Sequence, residues 1–388
     1  MSRSFTVKKT PAPPRPHTVI ACGGTGGHLF PGIAVASELH RAGVQVTLVV
    51  SEKEVDALGL QGESRFDVVK LPAAGMGQRG RMHVVRGAWQ SLRICLETFS
   101  RRPPTSVLSM GGFTSAAPLI AGRRHGARLF IHDSNAIPGR ANRWLSWFTH
   151  NGFVAFEEAA VHLRSRQVIL TGTPVRSGFL EPESATSARR SLGLDPDRPT
   201  LLVMGGSQGA RAINDAFLEA IPALMGRFPQ LQYIHLSGPG DFEGVQSAFK
   251  RLQVPGVVKG FSNQMETVLA SATLAISRSG GSSLAEFAAM QLPCILIPYP
   301  TAADDHQMAN ALAFSRSGAA EVLPQSALGG GKLSEVVTRL LTDPTVLETM
   351  RSKLRPWRRA DAASRIADAI LGRVDRPVQS GFLRAAAL

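Results

Sequence analysis

The sequence predicts an α/β protein of two units, each a parallel sheet covered by helices, facing each other across a cleft. Three observations predict it. Short apolar runs of β type alternate with helical segments along most of the chain. A glycine turn, Gly23-Gly24-Thr25-Gly26-Gly27, joins an apolar run to a helix near the start, and Gly205-Gly206-Ser207-Gln208-Gly209 repeats the arrangement later. Between them Thr171 to Arg176 reads as a linker, because Pro174 interrupts regular structure. In open parallel sheets ligands bind beyond the carboxyl ends of the strands, so function is expected in the cleft between two Rossmann-like units.

Residues 1–16 are Pro-rich and basic, lack the apolar core of a signal peptide, and are expected to be a disordered arm. Residues 17–172 form the first unit. Its apolar run Val19 to Ala21 leads through the glycine turn into a helix from Leu29 to Leu39, then strands at Val44 to Val50 and Phe66 to Leu71. Met82, Val85, Trp89, Leu92, Leu96 and Phe99 recur at steps of three and four, a helical stripe among Arg79, Arg81, Arg86, Arg93, Arg101 and Arg102. Two readings stand: a core-packing helix with a solvated basic flank, or a neighbourhood resting on anionic lipid. They are compatible if the stripe is buried and only the flank touches lipid. Strands follow at Val107 to Met110, Arg128 to His132 and Val168 to Leu170, with a basic, aromatic helix holding Arg140, Arg143, Trp144, Trp147 and Phe148. The uncharged span Thr105 to Gly122 carries Gly111, Gly112 and Pro118 and is rejected as a membrane helix.

Residues 173–357 form the second unit. Strands are expected at 201–204, 231–236, 257–259, 273–277 and 294–297, and helices at 210–225, near 242–252 and 264–270, and at 283–290. Beyond Pro324, Leu333 to Leu341 and Val346 to Leu354 read as helices. Residues 358–373 hold a last amphipathic helix, Ala360 to Leu371, and 374–388 read as a loose tail.

The chain has 388 residues, 44% hydrophobic and 19% charged, enough for two ordinary globular cores. Cys22, Cys95 and Cys294 are scattered, which fits a reducing compartment and argues against a disulfide framework or structural zinc. Residues 1–150 hold 19 Lys/Arg against 8 Asp/Glu, and the rest 24 against 21, so +11 of the net +14 lies in residues 1–150. A basic half suggests an anionic partner. With 6% aromatics and no RNA-binding signature, a membrane surface fits better than nucleic acid.

Glycines at a strand-to-helix turn leave backbone N–H groups uncovered, and a helix N-terminus adds about half a positive charge, which suits a phosphate or diphosphate. A tight corner alone also uses glycine. The first turn fails the G-x-G-x-x-G fingerprint, since Leu29 stands at the third glycine, and no P-loop is present. In Arg278-Ser279-Gly280-Gly281-Ser282-Ser283-Leu284-Ala285-Glu286 a Gly/Ser turn again opens a helix. Glu286, one turn in, suits a ribose diol, although the helix dipole alone also favours an acid there. Asp304-Asp305-His306-Gln307, with Asn310 beyond, offers the paired donors and acceptors that sugar hydroxyls need. Two adjacent acids without a third ligand argue against a metal.

These four motifs, in this order and spacing over about residues 17 to 372, resemble one family. It is that of the bacterial cell-wall glycosyltransferases that move N-acetylglucosamine from UDP-N-acetylglucosamine onto undecaprenyl-diphosphate-linked N-acetylmuramyl-pentapeptide. The resemblance implies the two-Rossmann-domain type B glycosyltransferase fold, with the C-terminal helix crossing back to the first unit. It implies inverting transfer to the acceptor's 4-hydroxyl with no cofactor and no metal, at the cytoplasmic face of the inner membrane. Thr25, Gly26 and Gly27 would lie near the donor diphosphate, and Asn135 near the donor sugar or the acceptor, at the catalytic centre. Arg176, Ser207 with Gln208, Ser262, and Gly281, Ser282, Ser283, Leu284, Ala285 and Glu286 would hold the UDP, with Glu286 on the ribose. Gln307, with His306 beside it, would read the sugar. His132-Asp133-Ser134-Asn135 stands where the family usually has His-Glu-Gln-Asn, Phe113 closes a stretch usually ending in Tyr, and Ser283 replaces a usual Thr. His28 is the expected general base, kept neutral by the helix N-terminus; the alternative is a structural histidine bonded to a backbone carbonyl. Two rival functions are a UDP-N-acetylglucosamine 2-epimerase on the same fold, which needs no lipid, and a basic RNA-binding protein.

Overall fold

The computed structural model describes residues 16–72 and 81–373. Strands β1 (His17–Ala21), β2 (Gln45–Ser51), β3 (Asp67–Leu71), β4 (Ser106–Ser109), β5 (Arg128–Asp133), β6 (Asn151–Val154) and β7 (Gln167–Leu170) make one sheet in the order 3-2-1-4-5-6-7. Strands β8 (Thr200–Met204), β9 (Gln232–Leu236), β10 (Gly256–Lys259), β11 (Leu274–Ser277), β12 (Cys294–Leu296) and β13 (Ala320–Val322) make a second in the order 10-9-8-11-12-13. Adjacent strands are parallel throughout. Parallel strands need crossovers, and helices fill them, which buries the sheets on both faces. β1 and β8 are accordingly buried at every residue.

Each sheet reverses its winding between its first and fourth strands, β1 beside β4 and β8 beside β11. The turns after those four strands carry Gly23 to Gly27, Gly111-Gly112, Gly205 to Gly209 and Arg278 to Gly281. Topology alone therefore collects the glycine motifs at the switch points.

The elements the sequence hides have local reasons. β6 reads Asn-Gly-Phe-Val; a β-carbon on Gly152 would lie 2.8 Å from Ser165 Oγ, and Asn151 Nδ2 donates to Gln167 Oε1 at 2.8 Å. β13 is three residues at a sheet edge. Helix Ala116–Arg124 holds Pro118 in its first turn, where no intrahelical N–H is lost. Short helices Glu54–Gly59 and Ala185–Ser191 have too few residues to display a periodicity.

The arginine-flanked stripe differs from a simple core face. In helix Arg81–Arg101, Cys95 and Phe99 are buried and Leu92 and Leu96 half-buried, but Val85 is 67% and Trp89 63% exposed. The basic, aromatic helix breaks in two, an α-helix Arg140–Leu145 and a 3-10 turn Ser146–Phe148. Residues 1–15 of the basic arm, the segment 73–80 with Arg79, the side chains of Arg81 and Met82, and the tail 374–388 lie outside the described residues. Among the described residues no helix is long and apolar enough to cross a membrane.

The chain returns after the second sheet. Trp357 stacks on Phe314 at 4.4 Å and lies 5.6 Å from Phe156 of the first unit. Helix Ala362–Leu371 then buries Ala363, Ile366, Ala367 and Ile370 in the same core as Ile20, Leu29 and Leu48, and Ile370 O accepts from Arg128 Nη1 at 3.2 Å.

Candidate active site

The first turn places Thr25 as the N-cap of helix Gly26–Arg41, with Thr25 Oγ1 3.2 Å from His28 Nδ1. The His28 ring lies against the turn after β4. A β-carbon on Gly111 would stand 3.0 Å from Nε2, and one on Gly112 3.1 Å from Nδ1. Both glycines have positive φ, +107° and +79°, so an L side chain there would be strained as well as crowded. Burial pushes the imidazole below the ordinary histidine range; His306 and Lys53 push the same way, against Asp133 and Asp56. His28 is thus neutral near pH 7, chiefly through burial rather than through the helix terminus alone. When Nδ1–H donates to Thr25, the Nε2 lone pair is left to accept a proton.

The second turn meets the first. A β-carbon on Gly26 would lie 3.7 Å from Ser207 Cβ. Gln208 beside it is exposed, and Ser262 Oγ, nearly buried, accepts from Gln264 N at 3.2 Å. Arg176, at the end of the linker, lies 4.6 Å over the Phe30 ring and 3.3 Å from Glu266 Oε2. Its Nε and Nη2 are buried without an aligned hydrogen-bond acceptor, so the contact with Glu266 is one of charge. The same guanidinium acts on Glu286. Burial pushes the Glu286 carboxyl up to about 7, with Arg176 opposing and Glu266 adding to the rise.

Gly281 opens helix Gly281–Met290 directly against the first unit. A β-carbon there would come within 2.0 Å of Ser134 O. Ser282, Ser283 and Ala285 are half-buried in the first turns, while Leu284 packs into the core. Gln307 Oε1 accepts from Tyr299 N at 3.0 Å, which leaves its amide N–H groups for a ligand. His306 Nδ1 lies 2.8 Å from Ala303 O and donates to it, which leaves Nε2 as an acceptor. One cleft therefore collects Thr25, Gly26, Gly27, His28, Asn135, Arg176, Ser207 and the Gly281–Glu286 turn, with His306 close to His28. Leu284 points away into the core, and Gln208 is held at the rim by the exposed turn. Among the described residues no three His, Cys, Asp or Glu side chains gather as metal ligands.

Residues 18–154 match the glycosyltransferase family 28 N-terminal domain and residues 200–368 its C-terminal domain. A relative from Pelobacter propionicus, a UDP-N-acetylglucosamine–N-acetylmuramyl-(pentapeptide) pyrophosphoryl-undecaprenol N-acetylglucosamine transferase, is 35% identical over 91% of this chain and 98% of its own length. The chain belongs to glycosyltransferase family 28. The crystal structure of Acinetobacter baumannii MurG is similar to this transferase with a TM-score of 0.70 and 25% identity, over 92% of this chain and 100% of that one. A UDP-GlcNAc 2-epimerase from Neisseria meningitidis, bound to UDP-GlcNAc, matches at a TM-score of 0.65 but 14% identity, over 92% of this chain and 100% of that one. The two-lobed fold is shared by both classes; the sequence identity falls on the transferase side.

Three carboxylates around the transferase's cleft have bonding roles that the sequence does not show. Asp133 organises the loop after β5: Oδ1 accepts from Asn135 N and Nδ2 at 3.0 and 3.1 Å, and Oδ2 from Gly139 N and Asn142 Nδ2, both at 2.9 Å. Asp56, fully buried, accepts from Gly24 N at 2.8 Å and Ser51 N at 2.9 Å, which pins the first glycine turn. Asp304 joins the two units, accepting from Arg140 Nη2 at 2.7 Å and from Arg143. Both Asp304 and Asp305 have φ +52°, a left-handed conformation that aspartate tolerates better than most residues. An acid at the end of a strand is a visible signal for Asp133, and Asp304 lies in a motif read for sugar binding, but only its arginine partners reveal it as a clamp; Asp56 gives no signal of its own.

Proposed function

We propose that this transferase moves N-acetylglucosamine from UDP-N-acetylglucosamine to the 4-hydroxyl of undecaprenyl-diphosphate-linked N-acetylmuramyl-pentapeptide, with inversion, forming lipid II for peptidoglycan. The observation that carries the reading is a neutral imidazole, His28, in the helix Gly26–Arg41 that packs on the helix Gly281–Met290 holding Glu286, in a chain 35% identical to a transferase of that name.

The residues divide the work by what their polar atoms have left to offer. Glu286 accepts from the ribose diol. Ser207, Ser282, Ser283 and the N–H groups of Gly281 and the first glycine turn stabilise the charge that grows on the leaving diphosphate, with Arg176 nearby, so no metal is required. Gln307 donates to a hydroxyl of the donor sugar, and His306 accepts from one. His28 Nε2 takes the proton of the attacking 4-hydroxyl. Asn135 has one amide hydrogen to spare, because Oδ1 and the other hydrogen are engaged inside the protein, so it orients a substrate oxygen rather than removing a proton.

The first unit supplies the surface for the lipid. Helix Arg81–Arg101 packs on Ala116–Arg124, and that on Arg140–Leu145. Val85, Trp89, Ile120, Trp144, Trp147 and Phe148 stand exposed on these helices and the adjoining turn, Trp144 by 77%. Arg86, Arg93 and Arg140 are exposed around them. Aromatic side chains and arginines together suit a headgroup layer, so we place the protein peripherally on the cytoplasmic face of the cell membrane, without nucleic acid as a partner. The three free cysteines, all buried, fit that compartment.

Incubation with labelled UDP-N-acetylglucosamine, with and without a short-chain lipid-linked muramyl-pentapeptide, tests the reaction. Label in the lipid product, formed only with acceptor, is expected. An epimerised sugar nucleotide formed without acceptor would transfer the assignment to the epimerase class.

A further inference from the structure

Asn310 is buried completely, in the helix His306–Arg316 of the second unit, and every polar group of its amide is used. Oδ1 accepts from Ala136 N at 2.8 Å; Nδ2 donates to Asn135 Oδ1 and to Ser279 O, each at 3.0 Å. The first two partners belong to the loop after β5 in the first unit, the third to the turn after β11 in the second. Ser279, itself fully buried, donates from Oγ to Gln307 O at 2.7 Å, and two residues later Gly281 begins the helix whose first turns reach Glu286. One side-chain amide thus ties the loop that aims Asn135 to the turn that begins the nucleotide-binding helix.

We infer that Asn310 is a positioning residue that couples occupation of the nucleotide site to the placement of Asn135 beside the reacting atoms. It touches neither substrate. Its donor bond to Asn135 Oδ1 fixes which way the Asn135 amide faces: with Oδ1 held by Asn310 and one hydrogen held by Asp133, a single N–H is left for a substrate. Any shift of the Ser279–Gly281 turn on nucleotide binding must move the amide of Asn310, and with it Asn135 and Ala136. A buried amide with three good partners has no second arrangement of equal energy, so the link is stiff. This role rests on the proposed transfer reaction for its rate consequences, but its structural half does not.

Two readouts test it. Hydrogen exchange of the segment holding Ala136 is followed with and without UDP in the wild type, Asn310→Ala and Asn310→Asp; the aspartate is nearly isosteric, keeps an acceptor for Ala136 N, and loses the donors to Asn135 and Ser279. UDP is expected to slow exchange across 133–139 in the wild type and to leave it unaltered in both variants, with UDP affinity retained within about threefold. In transfer assays kcat is expected to fall about 10²-fold, as for a misplaced reacting group. Adding Asn310→Ala to Asn135→Ala should then cost little more, because the two act as a unit. UDP-dependent protection in Asn310→Asp equal to wild type would overturn the coupling, as would additive losses in the double variant or UDP affinity falling in step with kcat. An inactive wild type would instead overturn the transfer reaction, and the exchange experiment would still decide the coupling.

Discussion

At the scale of residues, the proposed function rests on groups with hydrogen-bonding capacity to spare, His28, Glu286 and Gln307 among them. His28→Ala is expected to lower kcat by about 10²- to 10⁴-fold, the usual range for a general base, while UDP affinity measured by calorimetry stays near wild type. Thr25→Ser should keep most of that activity and Thr25→Val should lose much of it, because valine offers Nδ1–H no acceptor and leaves the ring without its hydrogen-bond partner. Glu286 has a pH consequence. Its carboxyl titrates at about 7, and ribose hydroxyls donate to the ionised form, so nucleotide binding favours the deprotonated state. UDP affinity should therefore weaken as pH falls through about 7, approaching tenfold per pH unit at full linkage, and Glu286→Gln should bind more weakly at pH 8 but with a flat profile. Calorimetry from pH 6 to 8 distinguishes the two.

At the scale of elements, most of the architecture is legible because parallel sheets write themselves as short apolar runs between turns. The strands flanking the glycine motifs, β1, β4, β8 and β11, all stand where the apolar runs place them. The boundaries fail where a side chain's partner is remote: β6 is hidden by Asn151 and Gly152, whose fit depends on Gln167 and Ser165. The candidate site is legible as motifs but not as a bond network. Asn310 and the Asp304 clamp gain meaning only once the two units are side by side, and Asp133 only once the loop it holds is folded. The stripe Val85, Trp89, Leu92, Leu96, Phe99 shows the limit of periodicity, which identifies a helix face without saying what covers it. Its exposed end yields a prediction. Replacing Trp144 and Trp147 together by Ser should weaken binding to anionic vesicles by about tenfold or more in sedimentation assays, without reducing UDP affinity.

At the scale of the whole molecule, the two units are joined three ways, by the linker, by contacts across the cleft and by the returning helix. Ile366 is fully buried among residues of the first sheet's core, so Ile366→Ala should cost about 2–5 kcal/mol in denaturant unfolding and loosen the junction from the far side. The contacts across the cleft are closer still. Gly281 meets the Ser134 carbonyl with no room for a methyl group, so Gly281→Ala must push the units apart where the proposed donor and acceptor sites adjoin. Asp304 with Arg140 and Arg143, and Asn310 with Asn135 and Ala136, pair groups of one unit with groups of the other, so on the proposed reading catalysis depends on how the two units are held together. The most direct measurement is the structure of the complex with UDP-N-acetylglucosamine. Ribose on Glu286, diphosphate between Ser207 and the turn at Gly281, and the anomeric carbon facing His28 Nε2 across room for one sugar hydroxyl are expected. A donor bound with its anomeric carbon turned away from His28, or outside the cleft, would contradict this.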